Sequence, residues 1–132
     1  MNENVEQTQE KMDKELKQAK EMLNNKLVEL LGKFILLTTL HKMEWKESSE
    51  DGKFFWGKES LVFYFGLEKS NASVKNFEIK IINTETSKTN LIKDINENDG
   101  AVYKKSLELY SAINQSQVQH DVNAVDMFLK DL

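Results

Sequence analysis

This sequence predicts an α+β fold: a long N-terminal helix, an antiparallel meander of three or four strands, and two C-terminal helices packed on the sheet. Three observations predict it. Apolar residues recur on a helical period from about Glu6 to Leu40, the period falls to two between residues 42 and 95, and helical spacing returns after Gly100. Helices on either side of a run of strands pack on one face of an antiparallel sheet.

The first element rests on Met12, Leu16, Ala19, Leu23, Leu27, Leu30, Phe34 and Leu37, spaced by three and four residues along one stripe. Glu10/Lys14, Asp13/Lys17 and Glu29/Lys33 place acid before base at i,i+4, the favourable order on an exposed helix face. A helix of about 35 residues spans roughly 50 Å, more than a compact domain of this size covers. Either Gly32 breaks it or its first half projects and pairs with something. The alternative, a strand through "FILLTTLHKMEW", is weaker because of its leucine run.

"HKMEWKE" puts Met43 and Trp45 on one side and Glu44 and Lys46 on the other, and Asp51-Gly52 is a strong hairpin signal. Phe54-Phe55-Trp56, the turn Gly57 to Ser60, and "LVFYFGL" follow. Six of the chain's twelve aromatic residues fall between Phe54 and Gly66. After the polar "SNAS" comes "VKNFEIKII", where Phe77, Ile79 and Ile81 alternate with Asn76, Glu78 and Lys80, the mark of a strand with one solvated face. "NTETSKTN" is a turn and "LIKDI" a short strand or a single helical turn. "AVYKKSLELYSAI" and, beyond "NQSQ", "VQHDVNAVDMFLKDL" are the two terminal helices.

The 132 residues fit one domain, 1–132, and enough core to fold without metal or disulfide. There is no cysteine, so thiolate nucleophiles and thiolate metal sites are excluded. The first ten residues are acidic and polar and no apolar run reaches the length of a membrane span. We therefore expect no secretory signal, no membrane contact and a cytoplasmic location. The sequons at Asn71 and Asn114 then carry no meaning. All 18 basic residues are lysine, and acids outnumber lysines in each of the stretches 1–50, 51–100 and 101–132. Without arginine or a basic stripe, nucleic acid is not an expected partner. The lack of Arg, Pro and Cys beside plentiful Lys, Asn and Ile matches an AT-rich coding background, as in a low-GC bacterium, its phage or a protist.

Few constellations carry chemistry. The five glycines are isolated, with no phosphate-binding loop and no nucleophile elbow. His120-Asp121 with Asp126 does not make a zinc site, and no metal or other cofactor is expected. Glu78-Ile-Lys80, with Asp51 as an upstream acid, resembles the active site of restriction-endonuclease-like folds. That resemblance implies metal-assisted phosphodiester hydrolysis with Lys80 polarising the water. Cross-strand Glu/Lys pairing explains the motif more simply, and Glu44-Trp-Lys46 repeats it.

What remains is interaction. Met12, Leu16, Ala19 and Leu23 form a narrow seam with charged flanks, a coiled-coil mark, so residues 5–27 are expected to drive homo-oligomerisation. Leu61, Phe63, Phe65 and Leu67 share a core face, to which Phe55 is assigned. Val62 and Tyr64, with Phe54, point to the side where Glu44, Lys46, Glu78 and Lys80 meet water. These three are the candidate partner-binding residues. The expected function is a non-catalytic protein-binding module: an adaptor, chaperone or inhibitor. The other readings are a nuclease using Asp51, Glu78 and Lys80, or a small-ligand binder with an aromatic pocket near Trp45 and Trp56.

Overall fold

A computed structural model describes residues 2–68 and 74–132; the "SNAS" turn and the Asn71 sequon lie outside them. The fold is α+β. Helix α1 runs Asn2–Thr39, strands β1 Lys46–Glu47, β2 Lys53–Lys58, β3 Leu61–Leu67, β4 Phe77–Asn83 and β5 Lys88–Ile95 follow, and helix α2 spans Gly100–Asp131. The five strands form one antiparallel sheet in sequence order. No helix among the described residues is long and apolar enough to cross a membrane.

Three expectations about the elements change. Gly32 does not break α1: a helical glycine costs only about 1 kcal/mol, and buried Leu31 and Phe34 beside it offset that cost. The chain leaves the helix at His41, which takes a left-handed φ of 59°. Nor does "NQSQ" separate two terminal helices. These residues lack a breaker and keep their side chains on the helix: Asn114 Nδ2 donates to the Tyr110 carbonyl at 2.9 Å, and Gln115 Nε2 to Ser111 Oγ at 3.4 Å. Finally the sheet has five strands, because "LIKDI" pairs along β4 from Lys88 to Ile95, with a bulge between Ile81 and Ile82 absorbing a register shift.

The hairpin signals take definite form. At the β1–β2 turn Ser48 N–H donates to the Lys53 carbonyl at 2.9 Å, and Gly52 sits at φ 77°. A two-residue turn at Glu59 and Ser60 joins β2 to β3, so Gly57 and Lys58, expected in the turn, belong to β2. The β4–β5 turn is held by Asn83 Oδ1, which accepts from the Glu85 and Thr86 amides. Gly66 is required by close approach: a Cβ there would meet the Gly52 carbonyl oxygen at 2.5 Å.

Both helices cover the same face of the sheet. The core joins Leu27, Leu31 and Phe34 of α1, alternate residues of the strands (Phe54, Phe63, Phe65, Phe77, Ile79, Ile95), and Val102, Leu109 and Ile113 of α2. Phe65 stacks on Phe77 at 5.4 Å, and Phe34 meets Trp45 and Phe63 edge-on at 5.6 and 4.8 Å. Trp45 and Trp56 thus share the core side, both against Phe34. The Trp45 indole donates to buried Thr38 Oγ1 at 2.9 Å, so its polar edge is satisfied.

The direction of the helices follows from connectivity. Five antiparallel strands between α1 and α2 return the chain in the sense it began, so the two helices run side by side in the same direction. Gln117 Nε2 donates to the Trp45 carbonyl at 2.9 Å, placing the end of α2's buried stretch beside the end of α1. The first half of α1 and the second half of α2 therefore leave the body at opposite ends.

Candidate functional site

The arm of α1 comes first. Between Asn4 and Lys26 no side chain is buried, and burial starts at Leu27. Met12, Leu16 and Leu23 are exposed along it, with Val5 one heptad before Met12; Leu16 leaves 55% of its surface to solvent. Ala19 fills the small position of the same seam and is exposed as well. Every residue of the expected self-association seam therefore lies exposed on a stretch of helix that no other described part of the chain buries. Most helical stability in proteins comes from packing an apolar face, and this arm packs none within the described body.

The second surface is the sheet face opposite the helices. Strand register sets Lys46, Phe55, Tyr64, Lys80 and Ile92 in one row across all five strands, and Gly57, Val62, Ile82 and Thr89 in the next. Val62 and Tyr64 are half-buried there, as the sequence alternation indicates. Phe54 is not with them: it pairs with Phe65 and is 3% exposed on the helix-covered face. Phe55 takes its place, its ring 5.6 Å from that of Tyr64. Phe55 rather than Phe54 faces outward because the β1–β2 turn, and not the aromatic run itself, fixes the register of β2. Ile82 and exposed Ile92 extend the patch, and neither helix covers it.

Around Glu78 the structure gathers different acids from those expected. Asp51 sits exposed in the β1–β2 turn. Glu78 and Lys80 pair with each other at 3.2 Å. Beside Glu78 stand Asp94, its register partner on β5, and Glu68 at the end of β3; carboxylate oxygens of all three lie within 4.8 Å of one another. Glu68 is held above the usual carboxylate range by a hydrogen bond shared with Asp94, by burial, and by the charges of Asp94 and Glu78, with Lys53 opposing. Three oxygen donors of this kind suit a hard cation such as Mg²⁺ or Ca²⁺. The cluster was invisible in the sequence because Glu68 and Asp94 are 26 residues apart and meet only through the pairing of β4 with both neighbours.

The two histidines line one open groove of about 580 Å³, between the segment after α1 (His41, Glu44, Trp45) and the middle of α2 (Gln117, His120, Asn123). His120 Nε2 stands 4.0 Å from Glu44 Oε1, both well exposed. Asp121 and Asp126 are exposed on α2 beyond it. The rings around Trp45 and Trp56 pack edge-on and tilted against Phe34 and Phe63, with Trp45 buried and Trp56 half-buried against the core.

Comparison with protein-family models, with curated proteins and with solved structures finds no match to this chain.

Proposed function

We propose that this chain is a non-catalytic protein–protein interaction module that self-associates through the projecting arm of α1 and offers the open sheet face to a partner protein. One observation carries the reading: an unbroken helix presents Val5, Met12, Leu16 and Leu23 to solvent at seam spacing, outside the core that the rest of the chain builds. The Phe55, Val62, Tyr64, Ile82 and Ile92 patch, rimmed by Lys46 and Lys80, supports the second half of it. A small cytoplasmic adaptor, chaperone or inhibitor has this character, with one surface for its own copy and one for its target.

Sedimentation velocity tests the self-association. The wild type is expected above the 15.3 kDa of one chain, with Leu16→Lys returning to it. A wild type that stays at one chain's mass at every concentration removes the claim. For the sheet face, a partner retained by the wild type and lost with Tyr64→Ala, at unchanged melting temperature, assigns the patch; retained binding removes it.

A second reading draws on the Glu68, Glu78 and Asp94 carboxylates with Lys80 beside them: a metal-assisted phosphodiesterase. It predicts that Mg²⁺ or Mn²⁺ raises the melting temperature and that plasmid DNA is cut. A flat melting curve with intact plasmid removes it.

A further inference from the structure

The last fifteen residues of α2 carry a second unpartnered seam. Val118, Val122, Val125 and Leu129 are all exposed, Leu129 to 60%. Their spacing of 4, 3 and 4 is that of Met12, Leu16, Ala19 and Leu23 on the α1 arm. At 100° per residue, this stripe lies roughly 160° around α2 from the Val102, Ser106, Leu109 and Ile113 face that packs on the sheet. It therefore points away from its own sheet and is not an extension of the core-facing side. The α1 stripe lies within roughly 60° of the Leu27, Leu31 and Phe34 face, on the sheet side.

Resting on the self-association proposed above, we infer that the occupant of the α1 arm is the α2 arm of a second copy, so that copies join head to tail. Three features fit together. The arms leave the body at opposite ends and run in the same chain direction, so a second copy shifted along the helix axis lays its α2 arm parallel to the first copy's α1 arm. In that arrangement the stripes must face oppositely with respect to the sheet, and they do. The register then pairs Met12 with Val118, Leu16 with Val122, Ala19 with Val125 and Leu23 with Leu129, four apolar layers in succession.

Charge selects the same pairing. Over the stretches that oppose each other, residues 12–26 hold four lysines and three acids, whereas residues 118–132 hold three aspartates and one lysine. Opposite net charges favour α1 with α2 and disfavour α2 with α2. Lys20 and Asp121 take the flanking positions that face each other in this register, while Glu15 faces Asp126. Because the contact uses two different surfaces, it does not close on itself in a dimer, and copies add in a row.

Two variants of the 132-residue chain test this, each altered only at an exposed position: L16K in the α1 arm and V125K in the α2 arm. Each alone is expected to sediment as one chain, and their equimolar mixture as a 1:1 dimer, since each supplies the arm the other lacks. Wild type is expected to grow past the dimer as concentration rises, and D126K at lower concentration still. A V125K that still dimerises alone, with no gain on mixing, overturns the head-to-tail contact and leaves a symmetric α1–α1 pair. A wild type that never associates overturns the self-association itself. Unchanged far-ultraviolet dichroism and melting of the dilute variants excludes misfolding as the cause.

Discussion

Leu16 and Leu31 sit fifteen residues apart on one continuous helix, and truncating each to alanine separates arm from body. Leu31 is 0% exposed, enclosed by the core. Leu→Ala at such a site costs about 2–5 kcal/mol, the transfer of the lost atoms plus the cavity left behind. At this chain length 1 kcal/mol moves the melting temperature by about 3–5 °C, so Leu31→Ala should melt roughly 10 °C lower. Leu16 is 55% exposed and lies outside the core of the described residues, and alanine is the better helix former. In dilute solution its truncation should change stability by no more than about 0.5 kcal/mol. At concentrations a hundredfold above the dissociation constant, association adds about 2.7 kcal/mol to the wild type, and Leu16→Ala should forfeit most of it. The assay is urea unfolding of the three proteins at micromolar and near-millimolar concentration. If Leu16→Ala is as costly as Leu31→Ala in dilute solution, the arm folds back on its own body. If Leu31→Ala costs under about 1 kcal/mol, the core is misplaced.

Three further outcomes follow from contacts in the body. Thr38→Val strips the buried acceptor from the Trp45 indole and should cost about 1–3 kcal/mol in urea unfolding; a neutral result means the indole finds another partner. Gly66→Ala forces a Cβ against the backbone of Gly52 and Lys53, so it should destabilise by about 1–3 kcal/mol or more, and wild-type stability would show that β3 does not lie against that turn. For Glu68 the sign is set by its raised pKa: the folded state holds the proton more tightly, so its contribution is full below the ordinary carboxylate range and is lost as pH rises through the raised value. Glu68→Gln should therefore stabilise the protein at pH 7 and leave it unchanged near pH 3.5, whereas a loss at pH 7 would mean that the ionised Glu68 is the stabilising form.

Much of this molecule could be read from residue spacing alone. The seam from Met12 to Leu23 needs only the 3.6-residue period, and the alternation of Phe77, Ile79 and Ile81 needs only the period of two. Val62 and Tyr64 likewise fell on the open face by parity. Phe54 did not, because a strand's phase depends on the turn that starts it, and Ser48 to Gly52 leaves Phe54 rather than Phe55 facing the core. The continuity of α2 was hidden for a different reason. Asn114 and Gln115 have low apolar content, which reads as a break, but their amides bond within the helix. The Val118 to Leu129 stripe follows the same 3.6-residue period, yet its orientation away from the sheet emerges only once Val102, Leu109 and Ile113 are placed. The carboxylates around Glu78 needed the full strand register.

Amide hydrogen exchange along α1 tests the central claim most directly, because it reads arm and body in one experiment. Unpartnered, residues 5–26 form an exposed helix that opens readily, while residues 27–39 open only with the core. Raising the protein concentration should slow exchange across 5–26 severalfold or more and leave 27–39 unchanged. Protection of 5–26 that is already equal to that of 27–39 in dilute solution, and does not change with concentration, contradicts the account.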